Sequence, residues 1–244
     1  MAKARKKHVQ LEMELNTWGG KRDGAGRPPR GFRSSERHGL RERFARLTAV
    51  HVTLRIVQPF PTLRSREMFF ALRKATQAVL GRSDFRIVHV SPEQDHLHLI
   101  VEADNHEALA AGVKAFEVSA AQHLNRAASK QLGRRRKGQV FADRYHARLI
   151  KSPTQAHHVL NYVLNNWRHH NADEDWGETR FWDVDYMSSA PSFPGWHELA
   201  IKPLQYSQLA DEYRLCVSRP QTWLLSVGWR KAGPISMYSI PKQR

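Results

Sequence analysis

Between residues 48 and 170 two hydrophobic periods take turns along the chain, and that alternation limits the possible folds more than any other feature. In TAVHVTLRIV (48–57) apolar and β-branched residues recur at every second position, the period of a half-buried strand, and Pro59 and Pro61 end it. Ser65 then caps a predicted helix reaching about Leu80, with Met68, Phe69, Leu72, Ala75, Thr76 and Val79 at helical spacing and Gly81 as its stop. FRIVHV (85–90) and HLHLIVEA (96–103) predict two more strands, joined through Ser91 and Pro92. Asp104 or Asn105 caps a long helix to about Lys130, and a basic loop GRRRKG (133–138) follows. Residues 139–151 predict a fourth strand broken near Asp143, and 153–170 a third helix opened by Pro153. The order β-α-β-β-α-β-α predicts an α+β domain, a ferredoxin-like antiparallel sheet with helices mainly on one face.

Charge and texture divide the 244 residues into three segments. Residues 1–46 carry 13 Lys/Arg against 5 Asp/Glu, 47–170 carry 18 against 9, and 171–244 carry 8 against 9. The net charge of +16 therefore sits in the first 170 residues, a field suited to nucleic acid or simply a solvated basic surface, and it does not separate DNA from RNA. Residues 1–46 are expected to be a flexible basic arm, because GGKRDGAGRPPRGFR (19–33) has no apolar period. Arg27 and Arg30 in this arm are candidate DNA contacts suited to a narrow minor groove, the alternative being a linker that only raises general affinity. Residues 171–244 lack a clear period yet hold Trp176, Trp182, Trp196, Trp223 and Trp229, and so many large rings predict an extension that docks on the preceding domain. No apolar run is long enough for a membrane span and the N-terminus does not read as a secretory leader, so the expected location is the cytoplasm, without a membrane partner. The single Cys216 excludes an intramolecular disulfide and a cysteine metal cluster, so any metal rests on His, Asn, Gln or carboxylates.

In the strand DHLHLIV, His96 and His98 point to one face and Leu97 and Leu99 to the other, so two imidazoles converge. The alternative is two polar residues on a wet sheet face, since a His-x-His is expected by chance among 14 histidines. On the third helix Ala156, Val159, Leu160, Val163, Leu164 and Trp167 form one apolar stripe. Tyr162 and Asn166 lie off that stripe and, at i and i+4, are neighbours on the helix surface. A phenol beside an amide oxygen outside the core suits a site, the alternative being a surface tyrosine with its hydroxyl in water. Tyr145 is the rival nucleophile, but it has no amide partner four residues on. The loop residues Arg134, Arg135, Arg136 and Lys137 are candidate DNA contacts, or a solvated basic run.

His96-Leu97-His98 on a strand, then a basic loop, then a helix carrying Tyr162-Val163-Leu164-Asn165-Asn166, resembles the HUH single-tyrosine transposases over about residues 45–170. GGKRDGAGRP (19–28) and WLLSVGWRKAGPIS (223–236) resemble segments of the REP-associated tyrosine transposase branch, which has Asn where insertion-sequence transposases more often have Gln. One departure is Asn166-Trp167, where Asn-Pro was expected; it should alter the helix exit. The resemblance implies that residues 47–170 are the catalytic domain, that His96, His98 and Asn166 hold Mg²⁺ or Mn²⁺, and that Tyr162 cleaves single-stranded DNA at the foot of a hairpin through a 5′-phosphotyrosine. The implied partner is a single-stranded DNA hairpin, with no small-molecule substrate, and the protein acts as a monomer or homodimer. Two alternatives are a catalytically silent DNA- or RNA-binding regulator and a metal-dependent nuclease that uses water instead of tyrosine.

Overall fold

The computed structural model describes residues 41–169, 182–204 and 213–241. Four strands, β1 (Thr48–Arg55), β2 (Phe85–Pro92), β3 (His96–Ala103) and β4 (His146–Leu149), form one antiparallel sheet in the order β2-β3-β1-β4. With helices α1 (Arg66–Val79) and α2 (His106–Gln131) inserted, this is the ferredoxin-like arrangement that the periodicities predict. The caps are local chemistry: Ser65 Oγ accepts from Met68 N, and Asn105 Oδ1 accepts from Ala108 N at 2.8 Å. β4 is only four residues long, because after an isolated bridge from Phe141 to Ile56 the chain breaks away near Asp143.

Strand alternation sorts the side chains. Leu54, Phe85, Leu97, Leu99 and Val101 join Leu72, Phe116 and Leu124 in the core between the sheet and the α1–α2 layer. Gly112 lets α2 close on the sheet, since a Cβ there would lie 2.1 Å from Phe85 Cγ. The third helix, α3 (Pro153–His169), takes the opposite face, where Ile100 and Val88 meet Leu160, Val163 and Leu164. Trp167 stands where a proline was expected; it is fully buried, and the helix continues to His169.

Residues 182–204 and 219–241 pack on this second face and on α3, whereas 213–218 run along the β2 edge towards α1: Leu215 joins the first core, Arg73 Nε donates to Arg214 O at 2.9 Å and Ser218 N donates to Ile87 O at 2.8 Å. Ser189 N donates to Val90 O and its hydroxyl accepts from Val90 N, both at 2.9 Å. The buried Glu102 carboxylate accepts from Gln221 N and Thr222 N, each at 2.8 Å. Asn165 and Arg168 of α3 donate to Ser236 O and Met237 O. Trp196 and Trp229 are buried in this layer, Trp182 is half-buried, Trp223 is half exposed, and Trp176 lies outside the described residues. At the other end, residues 41–46 of the segment expected as an arm are in contact with the domain: Phe44 packs on the core, and the Arg41 guanidinium lies 3.6 Å from the centre of the Tyr145 ring. Among the described residues no helix is long and apolar enough to cross a membrane.

Candidate active site

The register of β1 against β3 sets Thr53 opposite His98 and Arg55 opposite His96, on the face that α3 covers. The two imidazoles meet there, with His96 Nε2 and His98 Nε2 3.0 Å apart. Each ring has a partner behind it. His96 Nδ1 lies 2.8 Å from the Asp95 carboxylate, and His98 Nδ1 lies 3.2 Å from His51 Nε2 and 3.3 Å from Thr53 Oγ1. With Asp95 taking the Nδ1 proton of His96, and His51 or Thr53 that of His98, both Nε2 atoms turn lone pairs toward the same point. His51 stays neutral: burial, then His146 and Arg148, push its pKa down to about 4.

α3 brings the phenol to this point. Tyr162 Oη lies 3.4 Å from His98 Nε2, and its ring centre is 5.1 Å from that of His98. One turn further, Asn166 is fully buried although it lies off the apolar stripe, on the side of α3 that meets Glu93 at the β2–β3 turn. Its amide sits beside the Glu93 carboxyl, yet neither Oδ1 nor Nδ2 makes a hydrogen bond of normal geometry. The Nδ2 side favours the Glu93 carboxylate, which leaves Oδ1 as a buried acceptor without a protein donor. Among the described residues no three His, Cys, Asp or Glu side chains converge as a metal site. The two imidazoles fit a shared cation: cis ligands at about 2.1 Å from an octahedral ion stand about 3.0 Å apart, the separation of His96 Nε2 and His98 Nε2.

Several residues of the site escaped the sequence reading. Glu93 is buried, accepts from Ser91 Oγ at 3.1 Å, and has its pKa pushed up to about 7, chiefly by burial. Beside it Arg64 and Asp185 form a two-pronged buried ion pair with both N–O distances 2.9 Å, and Arg64 also donates to Pro92 O. Burial first and Glu93 second raise the pKa of the Tyr162 phenol, so the protein by itself holds the tyrosine protonated. His51 and Thr53 occupied the polar positions of TAVHVTLR, where alternation alone pointed to this face. The same rule places exposed Arg148 opposite His51 and exposed His146 opposite Thr53, giving a basic strip beside the histidines together with exposed Arg55.

The expected DNA contacts divide. Arg27 and Arg30 lie outside the described residues. Arg134, Arg135 and Lys137 are exposed. Arg136 differs, because its guanidinium lies 4.4 Å from the centre of the Phe60 ring and donates to Asn125 Oδ1 and to Gln139 O, which commits it to holding the loop. Tyr145 is buried in the core on the opposite side of the sheet, which removes it as a rival to Tyr162.

A strand pair of histidines facing a helix tyrosine on a ferredoxin-like sheet defines a candidate tyrosine phosphotransfer domain. The family model described as IS200-like transposase matches residues 47–166, the stretch that holds the four strands and the histidine–tyrosine pair. A solved structure of a REP-associated tyrosine transposase bound to a REP hairpin aligns with a TM-score of 0.42 and 12% identity, over 77% of this chain and 100% of that one. No curated protein matches the chain.

Proposed function

We propose that this protein cleaves and rejoins single-stranded DNA at the foot of a hairpin, as a metal-dependent tyrosine transposase of the REP-associated branch. The observation that carries the reading is the phenol 3.4 Å from His98 Nε2, with His96 Nε2 converging on the same atom. The branch assignment rests on GGKRDGAGRP and WLLSVGWRKAGPIS, the second of which folds over α3. His96, His98 and Asn166 would hold Mg²⁺ or Mn²⁺, which supplies Lewis-acid polarisation of the scissile phosphate and eases loss of the phenol proton.

Tyr162 Oη attacks phosphorus, the bond from phosphorus to the 3′-oxygen breaks, and that oxygen leaves as a 3′-hydroxyl after gaining a proton. The 5′-phosphate stays on the tyrosine. A second 3′-hydroxyl reverses the step, so one tyrosine serves cutting and joining without ATP. Because burial and Glu93 both raise the phenol's pKa, deprotonation needs compensating positive charge in the site. Arg55, His146 and Arg148 beside the histidines, and Arg134, Arg135 and Lys137 on the loop, supply positions for the DNA backbone. Tyr162 lies beside His98 of its own chain, an arrangement compatible with action as a monomer or as a homodimer.

The test is a labelled single-stranded hairpin incubated with Mn²⁺ and resolved under denaturing conditions. A protein–DNA band that vanishes with Tyr162→Phe, while DNA binding persists, supports this reading. Cutting that survives Tyr162→Phe would instead mean a water-using nuclease, and binding without cutting by the unaltered protein would mean a silent regulator.

A further inference from the structure

Behind the tyrosine site Arg64, Ser91, Glu93, Asn166 and Asp185 form a cluster of polar side chains, each 3% exposed or less. Charges taken out of water are tolerated where they are paired and hydrogen-bonded. Arg64 and Asp185 satisfy each other: both Arg64 Nη atoms donate to Asp185, and Nη1 also donates to Pro92 O at 3.0 Å. Asp185 is fixed by its own segment, since its Oδ1 accepts from Met187 N at 3.0 Å and Ser189 N donates to Val90 O of β2 at 2.9 Å. The hydrogens of Arg64 therefore go to Asp185 and the backbone, and Glu93 has the guanidinium's charge nearby with its own acceptors left for other donors.

Glu93 opens the turn between β2 and β3, and its own N–H closes that turn by donating to His96 O at 2.8 Å. Its side chain accepts from Ser91 Oγ at 3.1 Å, and Ser91 pairs with His98 across the strands. The carboxyl is thereby tied to the strand pair that carries both histidines, and from there it faces the Asn166 amide of α3. A carboxylate has acceptors and no donor, so of the two ends of an amide it takes the N–H end. The opposite end, Oδ1, is then the one left for a cation.

We propose that Glu93 is a positioning residue for the metal: it holds the Nδ2 end of Asn166 so that Oδ1 is the end offered to the ion, and Asp185 keeps Glu93 available for this by neutralising Arg64. The proposal rests on the reading above in which Asn166 is a ligand together with His96 and His98. It makes the segment around Asp185, which follows the catalytic domain in the chain, part of the support of the metal site.

The probe is Mn²⁺ alone, titrated into the full-length protein at mildly alkaline pH. The free ion is read by electron paramagnetic resonance, and the fold of each variant is checked by circular dichroism. Glu93→Met keeps the length of the side chain and removes its acceptors, and it should weaken Mn²⁺ binding about tenfold or more, the usual cost of losing a partner behind a ligand. Asn166→Leu should weaken it as well, with Asn166→Ala in its place if the leucine is not accommodated. The double variant isolates positioning, because loss of the carboxylate's charge acts with or without the amide: the loss from Glu93→Met should be at least about fivefold larger when Asn166 is present. Glu93→Gln retains an acceptor without the charge and should bind Mn²⁺ more tightly than Glu93→Met. Asp185→Asn leaves Arg64 to draw Glu93 towards itself, so it should weaken binding in the unaltered background and not in Glu93→Met. Equal losses from Glu93→Met with and without Asn166, Glu93→Gln as weak as Glu93→Met, or undiminished affinity in Glu93→Met would overturn the positioning role while the metal reading stands. Mn²⁺ binding unchanged by Asn166→Leu would remove the amide from the ligand set and the proposal with it, and no Mn²⁺ binding by the unaltered protein would sink the metal reading itself.

Discussion

Asp185→Asn removes one charge from a pair sealed against water while keeping the Oδ1 acceptor that Met187 N uses. The side chains of Arg64 and Asp185 are 4% and 0% exposed, so the guanidinium left behind cannot recover its hydration. Removing one partner of such a pair costs about 3–5 kcal/mol. Glu93 moderates the loss. Asp185 is one of the charges that keep its carboxyl hard to ionise, so without Asp185 it ionises more readily and becomes the counter-charge to Arg64. The expected cost is therefore near the lower bound, about 3 kcal/mol, which is about 6–12 °C in Tm for a domain of this size. Replacing both partners with Arg64→Met and Asp185→Leu should recover most of that loss, because no buried charge remains. Urea unfolding of the two singles and the double gives the coupling directly. A cost below about 1 kcal/mol for Asp185→Asn, or a double variant whose loss equals the sum of the singles, would refute this account of how residues 182–190 are pinned beside the site.

Asn166→Leu should change the stability of the metal-free protein little, because it removes a buried Oδ1 that has no donor together with an amide N–H that favours the Glu93 carboxylate, while cleavage with Mn²⁺ falls steeply; a large loss of Tm without added metal would show that the amide is a structural group. His89 is neutral in the fold, its pKa pushed down to about 3 by burial from an ordinary value of 6.5, so the unfolded chain binds the extra proton first and stability is lost as pH falls from about 6.5 towards 3. Tm measured across that window should fall less steeply in His89→Phe, and an unchanged slope would exclude His89 as its source. Gly112→Ala should cost about 1–3 kcal/mol in urea unfolding, since its Cβ meets the Phe85 ring and a strand must move; a neutral result would mean that the α2–sheet contact is looser than described.

The strands, the capped helices and the sheet class were legible because each is a local matter: a two-residue or a 3.6-residue period, and a Ser or Asn at a helix start. The pairing of His96 with His98 on one face, and of Tyr162 with Asn166 on one helix side, follows from the same periods within a few residues. What lies behind them does not. His51 reaches His98 across 47 positions, and Arg64 reaches Asp185 across 121, and no spacing rule spans such separations. Even the burial of Asn166 was hidden, since the helix pattern shows which side is apolar and not that the polar side would meet the buried Glu93 carboxyl. Arg136 shows the same limit from the other side: in sequence it is one of four like charges, and only its packing on Phe60 separates it from its neighbours. The amino-acid order alone therefore settles which face each side chain takes on its own strand or helix, because that is dictated by backbone geometry. Which faces meet, which carboxyl loses its water and which charge is left free are decided when distant segments are brought together, because desolvation and ion pairing depend on neighbours in space and not along the chain.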